Sequence, residues 1–164
     1  FSFIQADIVD KGKLTGVIEG SKIDAMLHLA CSVDNDFPAI IDDKEMSDCR
    51  SVDKYIYKLA VSANIKDIIM LSTTHVYAAP KSREPVRETA DEKPVSNYGK
   101  MKEESEKEFA ASLKKGNTKG VIMRVAPIYT KNFVENLHSR IYDVKDQMAF
   151  LYREGEYSFS FCCL

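Results

Sequence analysis

Short apolar runs alternate with helix-patterned segments along this chain, and that alternation restricts the fold more than any single residue does. Asp67–Ser72 contains Ile68-Ile69-Met70-Leu71, apolar at every position, as a strand covered on both faces should be. Phe1–Ala6 and Ile23–Leu29 read as two further strands, with a short helix over Lys11–Glu19 between them. A helix is expected over Met46–Asn64, where Val52, Ile56, Leu59, Ala60 and Ala63 share one face. Another is expected over Asn97–Lys115, stopped by Gly116 and followed by a strand over Gly120–Val125. Pro80, Pro85 and Pro94 make Thr74–Ser96 a long loop. Val134–Arg153 reads as a further helix and Tyr157–Phe161 as a last strand. Strands alternating with helices imply right-handed crossovers and a parallel sheet, so the expected class is α/β.

Composition narrows the function classes. The 164 residues suffice for one domain with a core, and no repeat or flexible linker divides them, so residues 1–164 are expected to form a single domain. Hydrophobic residues make up 45% and charged residues 29%, which is globular rather than disordered composition. A formal net charge of −2 offers no basic field for nucleic acid or for an anionic membrane surface. No apolar run has the length of a transmembrane helix and no leader pattern is evident, so a cytoplasmic location is expected. Cys31, Cys49, Cys162 and Cys163 form no CxxC pair and no metal-ligand spacing, so they are expected as reduced thiols with no metal site.

In parallel sheets ligands meet the carboxyl ends of the strands, which directs attention to the segments after Leu29, Leu71 and Val125. Tyr98 and Lys102 stand four apart at the start of the expected helix, one turn apart on one face. A phenol is a weak base at neutral pH, and holding half of it ionised at pH 7 takes about 3 pK units, about 4 kcal/mol. An ammonium one helical turn away supplies part of that. The spacing alone is weak, because Tyr77 and Lys81 repeat it, although Pro80 lies inside that second pair and breaks the helical presentation. Upstream, Leu71-Ser72-Thr73-Thr74-His75-Val76-Tyr77 brings hydroxyls to a strand's carboxyl end.

Taken in order, these segments resemble the extended short-chain dehydrogenase/reductases, specifically the NAD-dependent epimerase/dehydratase family. Gln5-Ala6-Asp7-Ile8 is similar to the end of that family's third strand, and Asp24-Ala25-Met26-Leu27-His28-Leu29-Ala30 to its fourth. Ser72-Thr73-Thr74-His75-Val76-Tyr77 resembles its Ser-Ser-x-x-Val-Tyr strand end, and Ser96-Asn97-Tyr98-Gly99-Lys100-Met101-Lys102 its catalytic helix. The resemblance implies a partial Rossmann-like, doubly wound parallel sheet with flanking helices, in which about 131–164 begins the substrate-binding region. It implies Tyr98 as the acid/base on a sugar hydroxyl, Lys102 as the holder of the nicotinamide ribose, and Thr73 as an orienting hydroxyl. NAD or NADP contacts are implied at Asp7, Ile8, Leu29, Ala30, Cys31, Val33, Leu71, Tyr98, Lys102, Ala126 and Pro127. A nucleotide sugar is the implied substrate, and a homodimer is possible through Tyr55, Ile56 and Leu59, which an intramolecular core explains equally well.

Departures from the family pattern refine the expectation. Dehydratases of the family carry an Asp-Glu pair where this chain has Thr74 and His75, so an epimerase or ketoreductase is favoured. His75 is expected in a local hydrogen-bonding role and His28 in the core. Asp48-Cys49-Arg50-Ser51 stands where the family usually has an asparagine near the cofactor, and Thr130 where it commonly has glycine. Gly12, Gly16 and Gly20 are spaced by four on a helix pattern and cannot form the family's phosphate-binding turn. The family's first two strands have no counterpart, so the chain is expected to be the central part of a longer enzyme, inactive alone. The alternative is a noncatalytic relative that senses a dinucleotide or holds a protein partner.

Overall fold

A computed structural model describes residues 2–30, 43–78, 84–134, 137–138, 141–143, 145, 147–149 and 160–164. The chain divides into two compact units, Phe1–Met123 and Arg124–Leu164. In the first, α1 (Lys11–Glu19) opens on Asp10, whose side chain accepts from the Lys13 backbone N–H at 3.0 Å. Strand β1 (Ala25–His28) leads to α2 (Asp43–Ser62), then β2 (Asp67–Thr73) and a 3-10 turn at Thr74–Val76. Beyond the loop, α3 (Asn97–Leu113) precedes β3 (Lys119–Val125). The three strands form one parallel sheet in the order β1-β2-β3, with Ala25 opposite Asp67 and His28 opposite Met70. This is the expected α/β class.

Strand alternation sends Ile68 and Met70 to a face covered by α2 and α3, where they join Ile56, Tyr57, Leu59, Ala60 and Phe109 in the core. Val52 and Ala63 pack against that cluster, so the expected apolar face of α2 is the one used. Tyr57 lies outside that stripe and is nevertheless fully buried, its ring edge-on to Phe109 at 4.9 Å. The C-terminal end of α2 turns through Asn64 at φ 56°, a left-handed position that asparagine tolerates better than most residues. The opposite sheet face is open: Leu27 is 58% exposed, Val121 55% and Met123 44%. Gly12 and Gly16 lie within α1 and Gly20 caps it, so they build a helix rather than a phosphate loop.

One expected element is not formed among the described residues and another is formed only in part. Residues 2–6 are not a strand: Phe3 and Ile4 are exposed, and among the described residues no strand offers them a backbone edge. An apolar run becomes a strand only where a neighbour accepts its hydrogen bonds. The helix expected over Val134–Arg153 is helical at Leu137, His138 and Ile141, with the His138 backbone N–H donating to the Val134 carbonyl at 2.8 Å, and gives way to a hairpin from Tyr142 onward. There β4 (Ile128–Tyr129), β5 (Tyr142–Asp143) and β6 (Met148–Ala149) follow in order, and β5 pairs antiparallel with β6. Gln147 adopts φ 53° in the intervening turn, which an α-helix does not permit. Residues 157–159 of the expected last strand lie outside the described residues. Past them, β7 (Cys162–Cys163) pairs parallel with β4, and the Tyr129 phenol is held above its ordinary pKa by its hydrogen bond to Cys163.

Polar side chains, not only apolar ones, join α3 to the rest of the first unit. The buried Asp53 of α2 receives His28 Nε2 of β1 at 2.8 Å on one oxygen and the Ser105 hydroxyl of α3 on the other. Ser105 also meets the Tyr57 hydroxyl at 3.2 Å, and Ser72 of β2 donates to the buried Glu106 of α3. Removing one partner of a buried pair strands the other. Asp53→Ala is therefore expected to lower the unfolding free energy by about 3 kcal/mol, with Asp53→Asn losing less, both read from urea unfolding midpoints. Gly99 makes a second prediction. A Cβ there would stand 3.0 Å from Pro94 Cβ and well inside contact distance of the His75 carbonyl oxygen. Gly99→Ala should cost about 1–3 kcal/mol in the same assay, because backbone has to move.

Candidate active site

The N-terminus of α3 is set by Ser96, whose hydroxyl accepts from the Gly99 backbone N–H at 3.0 Å. This cap starts the helix so that Tyr98 and Lys102 fall one turn apart on it, as the spacing predicts. Lys102 is only 7% exposed, and its ammonium donates to the Leu71 carbonyl of β2 at 3.4 Å. The Lys102 side chain therefore runs to the carboxyl end of the central strand. Tyr98 is half-buried against a cluster formed by Cys49 and Met46 of α2 and Met101 of α3.

Thr73 ends β2 and is buried. Its hydroxyl oxygen accepts from the His75 backbone N–H at 3.2 Å, capping the 3-10 turn that follows the strand. A hydroxyl has two lone pairs and one proton, so accepting this bond leaves the proton to be donated elsewhere. The His75 ring stands edge-on to Tyr98, 5.9 Å between centroids and 79° between planes. Leu71, Thr73, His75, Tyr98 and Lys102 are thus linked through one strand end and one helix start.

The remaining expected cofactor residues are placed differently. Asp7 is exposed, and its carboxylate accepts from the Val9 backbone N–H at 3.0 Å within its own turn, while Ile8 packs against the core. Leu29 and Ala30 are exposed just beyond β1. Cys31 and Val33 lie outside the described residues. Ala126 and Pro127 belong to the second unit, where the Pro127 carbonyl accepts from the Cys162 backbone N–H at 3.0 Å. His28 is buried on Asp53, the core role expected for it.

Sequence reasoning did not single out Gly99 or the sulfur-bearing side chains around Tyr98. Gly99 did carry a signal, since glycine in the first turn of a helix is unfavourable unless a close approach requires it. Cys49 lies in the segment aligned with the family's asparagine near the cofactor and Met101 stands three residues from Tyr98 on α3, whereas Met46 carried no local signal.

A buried ammonium is the observation that tests whether a nicotinamide dinucleotide suits these residues. Lys102 has three N–H donors, and among the described residues the Leu71 carbonyl is its recorded acceptor. A ligand presenting vicinal hydroxyls at the end of β2 matches that donor set, and the Thr73 hydroxyl lies at the same strand end. The residues present fit the ribose end of such a group. In the described residues no helix is long and apolar enough to cross a membrane.

Comparisons with known proteins agree with this geometry. The family described as the NAD dependent epimerase/dehydratase family matches residues 2–158. No curated protein matches the chain at a significant level. Among solved structures, the UDP-Glc/GlcNAc 4-epimerase of Campylobacter jejuni superposes with a TM-score of 0.69 at 23% identity, over 78% of this chain and 39% of that one. The UDP-glucose 4-epimerase of Thermotoga maritima, solved with UDP-glucose, gives a TM-score of 0.67 at 20% identity, over 78% of this chain and 42% of its own. WbmG of Bordetella bronchiseptica, solved with NAD and UDP, gives 0.61 at 22% identity, over 76% of this chain and 38% of its own. The chain thus spans about two fifths of the length of these structures. By the extent of the sequence match, carried through the strand end at Thr73 and the helix bearing Tyr98 and Lys102, the chain belongs to the NAD dependent epimerase/dehydratase family.

Proposed function

We propose that these residues are the proton-handling centre of an NAD(P)-dependent nucleotide-sugar epimerase or ketoreductase. One observation carries the reading: a buried Lys102 ammonium at the carboxyl end of β2, one helical turn from Tyr98 on α3. Tyr98 takes the proton of a sugar hydroxyl as the carbon is oxidised, or returns it on reduction. The Lys102 charge lowers the cost of the phenolate and its N–H groups hold the ribose hydroxyls of the cofactor. Thr73 keeps the sugar hydroxyl aimed at Tyr98 by donating its own proton, one of its two lone pairs being already used by His75 N–H. The nicotinamide, when bound, accepts hydride from the sugar carbon or gives it. Leu29 and Ala30, exposed past β1, lie at the strand ends where a dinucleotide is received in parallel sheets.

Thr74 and His75 supply no carboxylate beside Thr73, which speaks for epimerisation or ketone reduction over elimination of water. The nucleotide-sugar substrate follows from the relatives, among them an epimerase solved with UDP-glucose and a protein solved with NAD and UDP.

Two measurements test the reading. NADH fluorescence titration should give saturable binding that Lys102→Ala weakens by tenfold or more, about the value of a charge-assisted hydrogen bond. Equal affinity in that variant removes Lys102 from the cofactor site. Tyr98→Phe should leave NADH affinity intact while turnover of UDP- and dTDP-sugars falls by about 10²–10⁴-fold. Turnover that survives the loss of the phenol hydroxyl removes Tyr98 from the chemistry, whereas NADH binding without any turnover in the unmodified protein favours the sensing or partner-holding alternative.

A further inference from the structure

The ladder between β1 and β2 ends where His28 lies opposite Met70, so Leu71, Ser72 and Thr73 run on past β1. On that stretch two side chains of α3 reach the strand. Lys102 donates to the Leu71 carbonyl at 3.4 Å, and the Ser72 hydroxyl donates to the carboxyl group of Glu106. Lys102 and Glu106 stand four apart on α3. Two successive turns of one helix face therefore grip two successive residues of one strand.

The two contacts are mechanically linked. The Leu71 carbonyl belongs to the peptide unit whose nitrogen is that of Ser72, and a peptide unit is planar. A Ser72 side chain fixed on α3 therefore also fixes where that carbonyl stands along the helix. Strand alternation sends Ser72 to the face of Ile68 and Met70, and both Ser72 and Glu106 are buried. Losing a hydrogen bond between buried groups costs more than the bond itself, because the group left behind stays desolvated.

We propose that Ser72 and Glu106 are a positioning pair for Lys102: their bond clamps the carboxyl end of β2 to α3 and so keeps the Leu71 carbonyl, with the ammonium it holds, in place. Neither residue takes part in the proton chemistry above. The role rests on the reading of Lys102 as the holder of the cofactor ribose. It adds that cofactor affinity is set by a buried pair one turn further along the helix.

Lys102 protection reads the clamp without cofactor. In the folded chain, brief acetic anhydride treatment followed by peptide mass spectrometry should acetylate the exposed Lys100 quickly and the buried Lys102 slowly. Ser72→Ala is expected to raise the Lys102 rate relative to Lys100 by about fivefold. Ile68→Val weakens the same strand in the core and is expected to leave that ratio unchanged. In NADH titrations Ser72→Ala should weaken binding by about two- to tenfold, and should add no further loss in a Lys102→Ala background. Should Ser72→Ala fail to fold by circular dichroism, Ser72→Cys keeps the size, gives up the strong donor and carries the same expectations. An unchanged Lys102 rate overturns the proposal, and so does an equal rise in Ile68→Val. NADH affinity that Ser72→Ala leaves intact, or losses that add to those of Lys102→Ala, overturn the link to the cofactor. An unmodified protein that binds no NADH is instead a failure of the catalytic reading, and the acetylation rates still decide the clamp.

Discussion

The buried Asp53 carboxylate organises the first unit, because it is bound to both a strand and a helix that it does not belong to. One oxygen holds His28 at the end of β1, and the other holds Ser105 in the middle of α3. A buried pair of this kind adds little net stability over an apolar replacement. Its effect is on geometry: α3 cannot slide along α2 or rotate about its axis without leaving a carboxylate and an imidazole unpaired in the interior.

The same requirement runs along α3. Lys102, Ser105 and Glu106 are all buried, and each meets a polar group of β2 or α2: the Leu71 carbonyl, Asp53 and Ser72. Phe109 continues the same side of the helix into the apolar core. The helix is therefore polar at the strand end and apolar toward its own C-terminus, a gradient that fixes its direction as well as its rotation. Gly99 completes the constraint by letting the first turn rest on the His75 backbone. Chemistry at Tyr98 depends on this, since a proton-transfer group displaced by about an ångström can lose on the order of 10²-fold in rate.

Among the described residues no helix covers one apolar face of the sheet, where Leu27, Val121 and Met123 are exposed. Parallel sheets are ordinarily covered on both sides. The matched structures are about twice as long as this chain, from the two coverages of each match, 78% against 39% and 78% against 42%. The residues proposed to handle the proton lie on β2 and α3, which meet within Phe1–Met123. For that reason the test of the site starts with the affinity of Lys102 for a cofactor rather than with turnover.

Periodicity and local chemistry determined which segments became helices and most of the strands: the face of α2, the start of α3 at Ser96, and the apolar run of β2 follow from side-chain spacing, capping and burial on two faces. The order of Thr73, Tyr98 and Lys102 was likewise readable, because a helix turn converts a spacing of four into a shared face. Phe1–Ala6 and the part of Val134–Arg153 from Tyr142 onward depart from their patterns for a common reason. Whether a run pairs as a strand or closes as a hairpin depends on a neighbour's backbone and on one left-handed residue, Gln147, and neither is visible in an apolar pattern. Only the tertiary structure decided that Asp53 bridges His28 and Ser105, and that Cys49, Met101 and His75 surround Tyr98. Apart from Met101, which is one turn from Tyr98 on α3, those contacts join residues far apart in sequence, and the geometry of packed elements, not local preference, brings them together.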